Sequence, residues 1–322
     1  MTTGGLRGTR KLDLNGEIIE RDSKEYLVYE MVGYFNEVWK ERNINPSEEY
    51  LPLAKHVKVA FEEKYEREEQ LLILIFQNLD YQPFPLPHLD YCHTLVAVSR
   101  LARLHAISYI CRMESSISDV LLSTCHKVPT VDRVTLDRLE IVLGDDEDGA
   151  EVVDFIRTIY KPNKENNLDI FGVFCPGNLN VDNLLFGYSS HLESRLFCSS
   201  MVFKSVSSMC FGNCVIDLLR LLFTCVDPEV RREFLAELVC SVYYEHFAAT
   251  VKSISTNISV FSKLSFLREF EGKLMFGFLF GFFISERDMK SNDATYDTEF
   301  RNMVRELVAE VGIAKRNLRN NL

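Results

Sequence analysis

The sequence predicts an α+β fold in two unequal parts, and three observations carry the prediction. Strand-like stretches gather before residue 80, helical periodicity dominates from about residue 91, and a proline-rich connector at residues 77–87 lies between them. The expected boundaries are 1–80 for a small part (a hairpin, a helix and two strands) and 81–322 for a large helical part interrupted once, at residues 173–186. Hydrophobic residues make up 47% of the 322, enough for a sizeable core.

In chain order, Lys11-Leu-Asp-Leu-Asn-Gly-Glu-Ile-Ile19 sets Asn15-Gly16 between alternating apolar residues, the mark of a hairpin with a type I′ turn. A helix is expected from about Asp22 to Arg42, capped by Asp22 or Ser23, with Leu27, Met31, Tyr34, Phe35 and Val38 on one stripe. Val57, Val59 and Phe61 alternate along one strand. Gln70–Phe76 is almost continuously apolar and is expected as a buried central strand, with the charged residues 62–69 as the loop between the two.

From Tyr91 onward, Leu95, Val98, Leu101, Leu104 and Ile107 give a strong helical period. A further helix is expected to start near Ser116, then an acidic loop at Gly144–Gly149 and a helix over Ala150–Tyr160. Val173–Phe186 reads as strand, polar loop, strand. After it come a strand at Leu196–Phe203, a helix at Ile216–Phe223, and a long helix capped by Asp227 with Pro228 in its first position, running to about Phe247. Two more helices, near Ser262–Ile284 and Asp297–Leu318, close the chain. The apolar run Leu274–Ile284 is far short of the roughly 20 residues that span a bilayer. Within it Gly277 and Gly281 share a helix face and would let that helix pack closely.

The net charge of −11 argues against a nucleic-acid surface, which needs clustered Lys and Arg. The nine cysteines have no regular spacing, and Met1–Arg10 lacks an apolar segment, so reduced thiols and a cytoplasmic location are expected. Cys210 and Cys214 have no second Cys or His pair near them in sequence and are expected as buried small hydrophobic residues. His105, within an apolar helix, is expected as a satisfied structural histidine.

The frame from Cys175 to Phe186, C-P-G-N-L-N-V-D-N-L-L-F, resembles the catalytic loop of ecdysteroid-kinase-like and choline-kinase-like small-molecule kinases, roughly C-H-G-D-L-W-x-x-N-I-L-F. Other matches fall in the family's order. Leu27–Tyr34 is similar to its F-x-x-E-x-x-x-Y helix, and Leu74–Leu79 to its L-I-L-E-D-L strand and hinge. Leu101–Ala106 is similar to L-A-x-L-H-A, Gly212–Arg220 to G-x-P-x-x-D-L-x-R, and Tyr243–Phe247 to Y-Y-x-x-F. The resemblance runs from about Lys24 to about Ile284. It implies a protein-kinase-like two-lobed fold with a truncated N-terminal β lobe, and ATP with Mg²⁺ as cofactors. It also implies positions: Lys11 as the nucleotide lysine, Glu30 as its partner, Gln77 and Leu79 at the hinge, Asn183 and Val202 at the two metal-ligand positions, and Asn178 at the position of the base. Asp217 is implied as a brace for the loop.

The residues at these positions do not suit the reaction. Phosphoryl transfer needs held phosphates, a cation, and a carboxylate to take the hydroxyl proton. Asn178 carries a neutral amide that cannot take one, although it can hydrogen-bond a hydroxyl. Val202 has no oxygen for Mg²⁺, and Lys204 adds positive charge beside it. Only ten residues precede Lys11, too few for two strands and a phosphate loop. Asp182 could replace the missing carboxylate, but on a strand-like exit it would point away from Asn183. The expected protein is a pseudokinase with a binding or regulatory role toward a small-molecule ligand or a protein partner, with no nucleic acid and no membrane span. The alternatives are an active ATP-dependent kinase of a steroid or other small alcohol, and a helical interaction protein with coincidental motif matches.

Overall fold

The structure, a computed structural model, describes residues 11–12, 16–19, 57–61, 72–76, 81–114, 133–143, 147–159, 170–177, 179–188, 198–203, 210–288 and 296–319. The expected helix over 22–42 with Glu30, the loop 62–69, Gln77, Leu79, Asn178, Lys204 and the helix start near Ser116 lie outside these residues.

The first four strands are β1 (Lys11–Leu12), β2 (Gly16–Ile19), β3 (Val57–Phe61) and β4 (Leu72–Phe76), in the order β1-β2-β4-β3. As the apolar run predicts, β4 is flanked on both sides. The first hairpin differs from expectation: Leu12 faces Gly16, so residues 13–15 connect the strands in place of a two-residue Asn15-Gly16 turn. Three-residue connections are the next commonest kind. Here β2 must also register with β4, from Gly16 opposite Ile75 to Ile19 opposite Leu72.

The connector is more than a linker. Its β5 (Tyr81–Pro83) pairs antiparallel with β7 (Leu184–Tyr188), whose other neighbour is β8 (Cys198–Phe203). Pro83 is tolerated because β5 lies at the sheet's edge. A separate antiparallel pair joins β6 (Gly172–Cys175) to β9 (Cys210–Asn213), a strand that its Gly and Asn disguise as a turn.

The helical part is built on α1 (Tyr91–Glu114), with Val98, Leu101, Leu104 and Ile107 buried as the periodicity predicts. Next come α2 (Arg133–Leu143) and α3 (Glu147–Ile159). The expected acidic loop differs in part: its last residues, from Glu147, belong to α3, and residues 144–146 lie outside the described residues. Gly149 belongs to the same helix, and a Cβ there would lie 2.7 Å from the Leu143 carbonyl oxygen.

Helix α4 (Cys214–Cys225) is buried over nearly its whole length and capped by Asn213, whose side chain accepts from the Val215 N–H. Asp227 caps α5 (Pro228–Glu237) as predicted, accepting from the Glu229 N–H at 2.8 Å. The chain then passes through a π-helical stretch, Leu238–Tyr243, into α6 (Tyr244–Ile254), beyond the expected end near Phe247. The apolar region expected as one helix is two, α7 (Lys263–Lys273) and α8 (Met275–Asp288), joined at the buried Leu274. Hydropathy continues through that joint and so hides it. Helix α9 (Tyr296–Arg319) ends the described chain. No described helix is long and apolar enough to cross a membrane.

Two features lock the helices together. A Cβ on Gly277 would lie 2.5 Å from the Phe223 ring of α4, and one on Gly281 would lie 2.8 Å from Leu307 of α9. The glycine pair thus admits close packing on two neighbours, as its spacing predicts. Gly277→Ala is expected to lower stability by about 1–3 kcal/mol in urea unfolding, because the buried Phe223 ring has to give way. The second feature is a buried ion pair between Arg231 of α5 and Glu310 of α9. The Arg231 Nε and Nη2 groups donate to the Glu310 carboxylate, and Nη1 donates to the carbonyls of Leu222 at 2.7 Å and Val226 at 3.1 Å. The guanidinium also lies over the Phe223 ring, 4.5 Å from its centre.

Candidate functional site

The loop at residues 176–183 connects strands of two different sheets, since β6 pairs with β9 and β7 with β5 and β8. Gly177 takes a φ of 78°, a left-handed backbone that only glycine adopts without strain, and it is buried. The loop closes in a 3₁₀ turn, Val181–Asn183, where the Asn183 N–H donates to both the side-chain oxygen (3.1 Å) and the carbonyl (3.0 Å) of Asn180.

Helix α4 holds the loop from beneath. Arg220 Nη1 donates to the Gly177 carbonyl, and the Thr224 hydroxyl reaches the Leu179 carbonyl at 2.7 Å. These contacts flank position 178 on both sides. On the β6 side, the Phe174 N–H donates to Ser108 Oγ of α1 at 2.6 Å. Below them Asp217, fully buried, lies 3.2 Å from His105 Nε2, and His105 Nδ1 lies 2.6 Å from the Tyr243 hydroxyl. His105 is thus a satisfied buried histidine, as expected. The chain Tyr243–His105–Asp217 ties the π-helical stretch, α1 and α4 together under the loop. On the far side His93, also buried, contacts Asp90 at 2.8 Å and the Tyr188 hydroxyl at 3.2 Å. His93 packs there against the rings of Phe84 and Phe186, seating β7 on α1.

The residues picked from sequence divide sharply. Asn183 is half-buried at the end of the 3₁₀ turn. Val202 is 3% exposed and pairs with Leu185, one ladder step beyond the Leu184–Phe203 pair that follows Asn183. The two implied metal positions are therefore a diagonal pair, and one is apolar and enclosed. Mg²⁺ takes oxygen ligands: the Asn183 amide can supply one, and the Val202 side chain cannot. Lys11 lies in β1. Asn178, Glu30, Gln77 and Leu79 fall outside the described residues. Asp182 needs a correction: it lies in a 3₁₀ turn and not on a strand, so its side chain leaves about 120° from that of Asn183 and not opposite it. Asp182 is exposed.

Sequence reading gave no anchoring role to Ser108, Arg220, Thr224 or Tyr243, although Arg220 closes one matched motif and Tyr243 opens another. For Arg220 and Thr224 the helix spacing also gave a signal. Asp217, Arg220 and Thr224 stand three and four apart on α4 and so lie along one face.

The surroundings are strongly desolvating. Burial pushes the Cys225 thiol up to about 12, and burial pushes Cys198 to about 11. Both thiols stay neutral in the fold, whereas in the unfolded chain they ionise near about 8.5. The raised folded-state values make stability complete below that point and progressively lost as pH rises toward them. Urea midpoints are expected to be level through neutral pH and to fall steadily above about pH 9. A midpoint that rises there would contradict neutral burial.

Comparison with known proteins bears on this geometry. The sequence pattern described as the ecdysteroid kinase-like family matches residues 23–256. Among solved structures, a putative aminoglycoside phosphotransferase from Ralstonia eutropha JMP134 superposes with a TM-score of 0.41 and 11% identity, over 94% of this chain and 85% of that one. No curated protein matches.

Proposed function

Since this chain belongs to the ecdysteroid kinase-like family, with the kinase-like α+β fold that membership carries, we propose that it is a pseudokinase: a kinase scaffold kept for binding or regulation, with phosphotransfer lost or severely weakened. One observation carries the reading. Arg220 and Thr224 grip the loop on either side of position 178, yet that position holds an amide where the reaction needs a carboxylate. The scaffold is kept and the base is gone. General-base catalysis is worth about 10²–10⁴-fold, so an amide there leaves little turnover. The enclosed Val202 agrees, because a cation bridging phosphates has no carboxylate to rest on.

A second reading, an active kinase of a small alcohol, has one observation in its favour. Asp182 offers an exposed carboxylate next to Asn183, in a turn that does not force the two side chains apart.

The full chain and its Asn178→Asp variant should be compared in melting temperature with and without millimolar ATP and Mg²⁺, and in ATP turnover with a panel of sterols and amino alcohols. The expected result is no thermal shift and no turnover by the native chain. A shift of several degrees with turnover by the native chain would favour the second reading, and its loss in Asp182→Asn would assign the metal carboxylate.

A further inference from the structure

A cavity of about 340 Å³ opens between α5, α8 and α9, and neither reading of the function uses it. None of the described loop residues lines it. Its floor is buried and carries the Phe223 ring and the Arg231–Glu310 pair, and half-buried Ile284 and Met303 make its walls apolar. The volume is more than twice that of a roughly 150 Å³ cavity that holds one benzene ring, and small-molecule sites begin near about 300 Å³.

The charges around the cavity cancel. Arg231 is spent on Glu310 and on two backbone carbonyls. The exposed rim carries one charge of each sign, Arg232 and Glu306. One polar group is left over. His88 also lines the cavity, and its Nδ1 is enclosed with no hydrogen-bond partner. The backbone holds this residue at the turn between α4 and α5. The Leu89 N–H donates to the Cys225 carbonyl at 2.7 Å, and the Leu89 carbonyl accepts from the Asp227 N–H at 3.1 Å. Buried N–H groups are orphaned less often than buried acceptors, so the ring proton belongs on Nε2, the less enclosed nitrogen. The imidazole is then neutral and offers one N–H donor.

We propose that this cavity binds an uncharged, mostly apolar molecule of one or two rings, whose single carbonyl accepts a hydrogen bond from His88 Nε2. An ion of either sign would lose hydration against walls whose charges already cancel. The inference stands whether or not the loop transfers phosphate. Its link to the loop is Phe223, which neighbours Thr224, the residue that holds the Leu179 carbonyl. An occupant therefore rests on the helix that shapes the loop.

The full chain should be titrated, by ligand-observed NMR, with 2-acetylnaphthalene, with 2-ethylnaphthalene (the same shape without the oxygen) and with 2-naphthoate. The ketone is expected to bind about 3- to 10-fold more tightly than the hydrocarbon, the span of one neutral hydrogen bond, and the carboxylate not at all. His88→Phe keeps a ring of similar size. It should bring the ketone down to the hydrocarbon and leave the melting temperature level or higher, since an enclosed, unpartnered nitrogen is gone. Ala309→Trp, at the exposed rim, should weaken both ligands together. Should His88→Phe fail to fold, the ketone-to-hydrocarbon ratio on the native chain and the Ala309→Trp variant decide. A native chain that binds neither neutral ligand, holds the two equally or prefers the carboxylate overturns the proposal, as does ketone binding that survives Ala309→Trp unchanged.

Discussion

Glu310→Ala is expected to lower stability by about 3–5 kcal/mol, because it strands a charged guanidinium in the core. Arg231 is only 4% exposed, and both edges of its guanidinium are directed at Glu310 and at two backbone carbonyls. Removing the carboxylate leaves the two carbonyl contacts and the ring of Phe223, neither of which carries a negative charge. The loss should appear as a lower urea midpoint with an unchanged slope. The double change Arg231→Met with Glu310→Leu is expected to recover most of that loss, since apolar replacements of similar volume often match a buried pair. If the single and the double variants are equally destabilised, packing between α5 and α9 matters more than the charge. If Glu310→Ala is harmless, the pair is not buried in solution.

Val202→Asp is expected to have a comparable effect, a loss of about 3 kcal/mol or more, although it restores the residue type that the family resemblance implies at this position. Val202 faces Leu185 across the β7–β8 ladder with 3% of its surface exposed, so a carboxylate placed there loses most of its hydration. Val202→Thr keeps the shape, adds one hydroxyl, and should cost about 1–3 kcal/mol. Adding Mg²⁺ should not rescue Val202→Asp. A rise in melting temperature of several degrees with Mg²⁺, seen only in the aspartate variant, would mean that a cation does reach residue 202. The contrast with Asn178→Asp matters here, because position 178 follows a glycine turn gripped by α4, whereas position 202 lies within a strand.

The sequence made the helical part and the loop legible for a physical reason: both depend on short-range pattern. The stripe from Val98 to Ile107, the Asp227-Pro228 cap and the glycine pair in α8 are each set within a few turns of helix, and each is found where the pattern puts it. Features that depend on distant pairing were hidden. Strand β9 exists because Cys210–Asn213 meets Gly172–Cys175, and β5 because Tyr81–Pro83 meets β7. The first hairpin's register follows β4, over fifty residues away along the chain, and not its own turn. The site shows the same division. Its frame could be read from one stretch, but its supports could not, because Ser108, Thr224 and Tyr243 approach from three separate helical segments. Asp182 was misjudged because a strand was assumed where the chain makes a tight turn.

The two ladders flanking the loop are nested in the chain. The β7–β8 hairpin lies wholly between β6 and β9, while β5 joins β7 only across α1, α2 and α3. Closing the inner hairpin first brings Cys175 and Cys210 near each other, so the outer pair then closes a much shorter effective loop. Contacts of low sequence separation form early, and the β5 pairing, with by far the longest separation, forms late. The order of assembly therefore runs outward from the loop. Changes in the β7–β8 hairpin should slow folding, changes in β5 should mainly speed unfolding, and a nascent chain can shape its loop only after Asn213 has emerged.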